Sequence, residues 1–196
     1  MKTNVVVISG QQGSGKTSLA NALMAKAKSG EVVKFADPLY EIHDLAVGIV
    51  RNAGIKFDKK KDGELLQYLG TEWGRKIDED IWAKIAKSTV DYIIEKYQPT
   101  DLIVIDDCRF ENEFNIFKDM ALMIRLECPE EVRKARAEYW RENTSHPSET
   151  GLNKYSAEMK FDEYFATNVL STEEIANKIL SILKTPAWEV KYGKKV

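Results

Sequence analysis

Apolar residues along this chain come in short, dense runs separated by longer mixed stretches. Asn4-Val-Val-Val-Ile-Ser9 and Leu102-Ile-Val-Ile105 are continuously apolar, as expected of strands buried on both faces. Candidate strands fall at 4–9, 31–36, 101–106, 121–127 and 164–168. The stretches between them read as helices at 16–28, 38–53, 63–75, 79–97, 111–119, 129–142 and 171–184. Asp78 caps the fourth of these, and Ile81, Ile85 and Val90 give it its period. Pro129 followed by Glu130 and Glu131 opens the sixth, with proline in the first turn and acids at the positive dipole end. Strands alternating with helices predict an α/β fold, a parallel sheet covered by helices. The polar segment from Glu142 to Tyr155 reads as a mobile loop. The tail beyond Pro186 carries Trp188 and Tyr192 without a clear period, and the pattern does not decide whether it packs on the body.

A chain of 196 residues suggests one domain with a substantial core. The formal charge of −2 argues against a polyanion-binding surface, so no nucleic acid polymer is expected as partner. No apolar stretch is long enough to span a membrane, and the N-terminus leads straight into the first strand without a signal peptide. Cys108 and Cys128 follow candidate strands and read as reduced, small apolar residues in a cytoplasmic protein. His43 and His146 are isolated, no Cys/His cluster has zinc spacing, and His43 is expected on a helix surface.

The chemistry begins at Gly10 to Thr17, G-Q-Q-G-S-G-K-T, which fits the phosphate-binding pattern G-x-x-x-x-G-K-[ST] between a strand and a helix. Glycines let backbone N–H groups curl around a phosphate, and the following helix aims its unpaired amides at the anion. The candidate nucleotide-binding residues are Gly10, Gly13, Ser14, Gly15, Lys16, Thr17 and Ser18, with Lys16 on the β- and γ-phosphates and Thr17 on Mg²⁺. A second apolar strand ends in Asp106-Asp107, where a carboxylate that holds Mg²⁺ is expected. Adjacent strand residues point to opposite faces, so one of the two faces the site, and the strand alone does not choose.

Phosphoryl transfer also needs positive charge on the moving group. Arg75, Arg109, Arg133, Arg136 and Arg141 are the candidates, and Arg133 and Arg136 share a helix face. Together with the polar loop they outline a lid at about 129–155 that would close and exclude water. Trp73 and Trp82 flank the start of the long helix; such a ring either packs in the core or stacks on a nucleobase.

These pieces, with Phe35-Ala-Asp-Pro-Leu39, Leu69-Gly-Thr-Glu-Trp-Gly-Arg75 leading to Asp78-Glu-Asp-Ile-Trp82, Asp107-Cys-Arg-Phe-Glu-Asn-Glu113, His146-Pro-Ser-Glu149 and Phe161-Asp162 with Asn168, occur in an order that spans nearly the whole chain. The chain thereby resembles the phage-type deoxynucleoside monophosphate kinases, within the wider nucleoside and nucleotide kinase group. The resemblance implies a three-layer P-loop fold with a central five-stranded parallel sheet, an acceptor-binding helical insertion at about 38–98 and a small lid. It implies transfer of the γ-phosphoryl group of ATP, with Mg²⁺, to a deoxynucleoside 5′-monophosphate. Trp82 would stack on the acceptor base and Arg75 would grip its phosphate. Asp37, Arg109 and Glu113 would complete the acceptor site, and Asp107, with Thr17, would hold the metal. Catalytic roles fall to Lys16, Asp107, Arg109, Arg75, Arg133 and Arg136. The implied partners are small nucleotides, in the host cytoplasm if the source is a phage, with a homodimer left open.

Two rivals stand beside this reading. A P-loop kinase for another small metabolite, such as dephospho-coenzyme A or phosphomevalonate, would share every phosphate-handling residue. A nucleotide-dependent switch would need a water-orienting residue, and no guanine-reading N-K-x-D motif occurs.

Overall fold

The computed structural model describes residues 3–58, 61–97, 100–137, 140, 152, 161–186 and 188. Five strands, β1 (Asn4–Gly10), β2 (Gly30–Val33), β3 (Leu102–Cys108), β4 (Leu122–Glu127) and β5 (Glu163–Ala166), form one sheet in the order β2-β3-β1-β4-β5. Every pairing is parallel, as the continuous apolar runs predict.

Alternation along the strands sorts the core into two layers. Val5, Val7, Ile103, Ile105 and Met123 point to one face. There they meet Ala83, Ala86, Val90 and Ile93 of α5 (Ile81–Lys96), and Phe114 and Phe117 of α6 (Glu111–Phe117). Val6, Ile8, Val104, Leu122 and Ile124 point to the other. There they meet Leu19 and Leu23 of α1 (Lys16–Lys26), and Ile175 and Ile179 of the last helix, Thr172–Ile182. Trp188 joins this second layer and donates its indole N–H to Asn4 Oδ1 at 3.0 Å, so this part of the tail packs on the body. No helix among the described residues is long and apolar enough to cross a membrane.

The remaining helices are α2 (Asp37–Asn52), α3 (Gly63–Gln67), α4 (Arg75–Ile77), α7 (Glu130–Arg136) and the last one, α8. Two differ from the sequence pattern. The expected helix 63–75 is interrupted by a π-helical stretch, Tyr68–Gly74. The expected helix 129–142 stops at Arg136, after which Ala137 is extended. Arg141, the loop 142–151 and His146-Pro-Ser-Glu149 lie outside the described residues, as does most of the expected lid beyond Ala137.

His43 is not on the helix surface: it is 2% exposed. Its Nε2 accepts from the Asp62 backbone N–H at 3.0 Å, and its Nδ1 lies 2.8 Å from Asp44 Oδ1. Asp62 in turn caps α3, accepting from the N–H groups of Glu64 and Leu65. The imidazole thus ties α2 to the start of α3, a contact across 19 residues that helix periodicity cannot reveal.

Candidate active site

The sheet order places the carboxyl ends of β1, β2 and β3 side by side, where open α/β sheets bind their ligands. After β1 the chain turns through Gly13 (φ 74°) and Gly15 (φ 91°). Both are left-handed, and at Gly13 a Cβ would also lie 3.0 Å from the Arg133 carbonyl oxygen. Gly15 delivers α1 with no side-chain cap and no acid in its first turn, so its first amides are left for an anion. The buried Ser14 hydroxyl has no hydrogen-bond partner among the described residues. The Lys16 ammonium donates to the carbonyls of Gly10 and Gln11 at 2.7 and 2.9 Å. A phosphate fits this set: the uncapped start of α1, the Ser14 hydroxyl and the Lys16 ammonium.

Thr17 and the two aspartates meet across the strand tops. Thr17 Oγ1 donates to Asp106 Oδ2 at 2.8 Å. Asp106 is buried, and its Oδ1 has no hydrogen-bond partner among the described residues. Asp107 does something else: its two oxygens accept the backbone N–H groups of Phe35 and Ala36 at 3.0 and 3.1 Å. The sequence expectation is that Asp107, with Thr17, would hold the metal; the carboxylate against the P-loop threonine is instead Asp106. The expectation that only one of the pair faces the site is corrected as well, since both line the same cavity. The register supplies the reason. Val7 pairs with Ile105 but Ser9 with Cys108, so β3 carries one extra residue at the aspartates, a bulge that redirects side chains at the strand end. The orphaned oxygen and the adjacent hydroxyl fit Mg²⁺, which takes one or two protein oxygens and fills its other positions with water and phosphate.

The end of the cavity away from the P-loop is built by the D-x-R-F-x-N-E segment. Glu113, 3% exposed, accepts from the backbone N–H groups of Arg109 and Phe110 at 2.7 and 3.1 Å and from the Arg75 guanidinium at 3.2 Å. Asn112 donates to the Glu79 carbonyl and to Asp80, docking α6 on the start of α5. Arg75 is further held by the Glu79 carbonyl and by the Phe110 ring, 4.1 Å below its guanidinium carbon. Arg75, Trp82, Arg109, Phe110 and Glu113 all line the cavity. Trp82 is a fixed part of that wall: it is 4% exposed, and its indole N–H donates to the Gly70 carbonyl at 2.8 Å. A Cβ on Gly74 would lie 2.2 Å from Trp82 Cζ2. Gly74→Ala should therefore lower stability by about 1–3 kcal/mol, the usual cost of overpacking. An unchanged melting temperature would mean that the indole is free to move.

Burial pushes the carboxyl of Asp107 up to about 6 and that of Glu113 up to about 7, against ordinary values of 3.8 and 4.5. In both cases backbone N–H groups oppose the shift without cancelling it. A raised carboxyl favours its neutral form in the folded state. The associated stability is fully present below the ordinary values and is lost as pH rises through the folded ones. Denaturant unfolding between pH 5 and 8 should show this fall, and Glu113→Gln should make it shallower. An identical pH slope in the variant would assign the effect elsewhere.

Other expected residues take different places. Asp37 accepts from the Lys34 backbone N–H at 2.8 Å, within the turn that starts α2, and is not among the residues of the cavity wall. Arg133 is 4% exposed and also absent from the wall. It donates from Nε to the Cys128 carbonyl and from Nη1 to the Gln12 carbonyl, at 3.0 and 2.9 Å, which braces the P-loop from behind. Arg136 lines the cavity. Sharing a helix face did not give the two arginines one role, because the first is taken by the loop it leans on. Sequence reasoning missed Lys34, whose ammonium lies 3.3 Å from Asp106 Oδ1, and, apart from Asn168, the 167–172 segment after β5, which also lines the cavity. Strand order holds the signal for Lys34: Val33 pairs with Ile105, so the next residue on each strand is Lys34 beside Asp106.

No curated protein matches this sequence significantly. Solved structures with the same fold are many. The tunicamycin resistance protein of Deinococcus radiodurans is 19% identical, with 93% of this chain and 96% of that one covered and a TM-score of 0.59. Shikimate kinase from Acinetobacter baumannii, solved with shikimate, is 14% identical over 93% of each chain at 0.52. Thymidylate kinase from Candida albicans is 11% identical, covering 95% of this chain and 93% of that one at 0.50. These likenesses agree with the helix-flanked parallel sheet. Residues 6–158 match a family model described as an AAA domain, and the chain belongs to that P-loop family.

Proposed function

We propose that this protein is an ATP-dependent kinase that transfers the γ-phosphoryl group to the 5′-phosphate of a deoxynucleoside monophosphate. One observation carries the reading. A single cavity of about 1290 Å³ runs from the P-loop to Arg75, Trp82 and Arg109, larger than the roughly 300–1,000 Å³ of a site for one small ligand. It has room for donor and acceptor together, with cationic groups at both ends.

In this reading the amides of α1 and Ser14 hold the donor's phosphates, and Lys16 leaves the carbonyls of Gly10 and Gln11 to neutralise them. Thr17 and Asp106 would hold Mg²⁺, which would supply charge neutralisation at the donor's phosphates. Arg75, anchored by Glu113, Phe110 and the Glu79 carbonyl, grips the acceptor phosphate, and Arg109 and Arg136 add charge along the transfer path. Asp107 fixes the Phe35–Ala36 backbone at the acceptor wall. No strong base is required, because the attacking oxygen already belongs to an anion, and positioning with charge neutralisation does the chemistry. Trp82 supplies a rigid flat surface against which a base can lie.

The similarity of fold to shikimate kinase keeps a non-nucleotide acceptor as the competing reading. A coupled-assay panel of deoxy- and ribonucleoside monophosphates with ATP and Mg²⁺ separates the two. Diphosphate formation from at least one deoxynucleoside monophosphate is expected, and a panel uniformly without turnover would overturn the acceptor assignment.

A further inference from the structure

Asp106 presents an electrostatic problem to the protein without a ligand. Its side chain is 2% exposed, and a buried carboxylate is costly unless a cation compensates it. Thr17 supplies a neutral hydroxyl to Oδ2. Among the described residues the cation in contact with Asp106 is Lys34, 3.3 Å from Oδ1, close enough for charge compensation but without forming a hydrogen bond there. The Lys34 side chain is 35% exposed and lines the cavity. It is thus tethered by a flexible stem with one end at Asp106 and the other toward water.

We propose that Lys34 is a positioning residue that acts as a built-in stand-in for the divalent cation. Its ammonium occupies the open oxygen of Asp106 in the metal-free protein and yields it when the metal binds, so that Lys34 sets the metal affinity of the site. The proposal rests on the reading of Asp106 and Thr17 as the metal side. Two cations cannot both hold Oδ1 at contact distance without repulsion. Lys34 therefore weakens metal binding to the empty protein while keeping the buried carboxylate tolerable. A fully exposed lysine would not do this, because water would screen its charge.

The test is a Mn²⁺ titration of the nucleotide-free protein, followed by loss of the free-ion electron paramagnetic resonance signal. It is paired with melting temperatures in chelator and in excess Mn²⁺. Lys34→Met should bind Mn²⁺ about tenfold tighter, the order expected for removing one partly screened charge at this distance. It should melt lower than wild type in chelator and regain most of that loss with Mn²⁺. Lys34→Gln repeats the measurement should the Met variant fail to fold, and Lys34→Arg should behave as wild type. Unchanged or weaker Mn²⁺ binding in both neutral variants, or a melting deficit that is equal with and without metal, overturns the proposal. Asp106→Asn is the separate control: it should abolish Mn²⁺ binding. Wild-type Mn²⁺ affinity in that variant would remove the metal-side reading itself, and with it the role of Lys34.

Discussion

Lys16→Ala should abolish phosphoryl transfer and leave the fold in place. The Lys16 ammonium holds two carbonyls of its own loop, Gly10 and Gln11, and takes no part in either core layer. Water can satisfy those carbonyls in the variant, so the circular dichroism spectrum and the melting temperature stay near wild type. What is lost is a preorganised charge on the donor phosphates, an effect expected to cost at least about 10²–10³ in kcat. Turnover close to wild type in a natively folded variant would remove the phosphate role of this loop.

Asp106→Asn should cripple Mg²⁺-dependent turnover far more than Asp107→Asn. The amide loses the charge that faces the metal beside Thr17, and a loss of about 10²-fold or more in kcat is the scale for a preorganised charged group. Asp107→Asn should act differently, because both Asp107 oxygens accept backbone N–H groups from Phe35 and Ala36 and an amide NH₂ cannot accept one of them. Its effect should appear as lower stability and a raised KM for the acceptor, with the Mg²⁺ dependence kept. Turnover of both variants across a Mg²⁺ titration distinguishes the two carboxylates, and the reverse order of effects would return the metal to Asp107.

That pair also shows where the sequence stops being informative. The strands, their parallel arrangement and the P-loop are legible because each is a local pattern: a continuous apolar run, or glycines at fixed spacing before a helix. Choosing between Asp106 and Asp107 depends on a one-residue bulge in β3, which no alternation rule registers in advance. Arg133 and Arg136 share a face, as their spacing requires, yet Arg133 is drawn under the P-loop by the Gln12 carbonyl, a contact across 121 residues. Lys34 gains its meaning only from the β2–β3 pairing. His43 gains its meaning from the cap of a helix that begins 20 residues later. The segment 63–75 carries Gly70, Thr71 and Gly74 among its helix formers, and its π-helical stretch becomes intelligible once Gly70 and Gly74 are seen to leave room for Leu39 and Trp82. In each case local propensity is correct about the element, and a distant partner decides the role.

The central claim is direct transfer between two ligands held in one cavity. Its most direct test follows the γ-phosphate itself: ATP labelled at that position, Mg²⁺, and a deoxynucleoside monophosphate are mixed with enzyme in excess, and the labelled products are separated after a single turnover. The account predicts label in the deoxynucleoside diphosphate and little in inorganic phosphate, with no label transferred when the acceptor is omitted. Label accumulating in inorganic phosphate at the same rate with and without acceptor would contradict it and mark the protein as a nucleotide hydrolase.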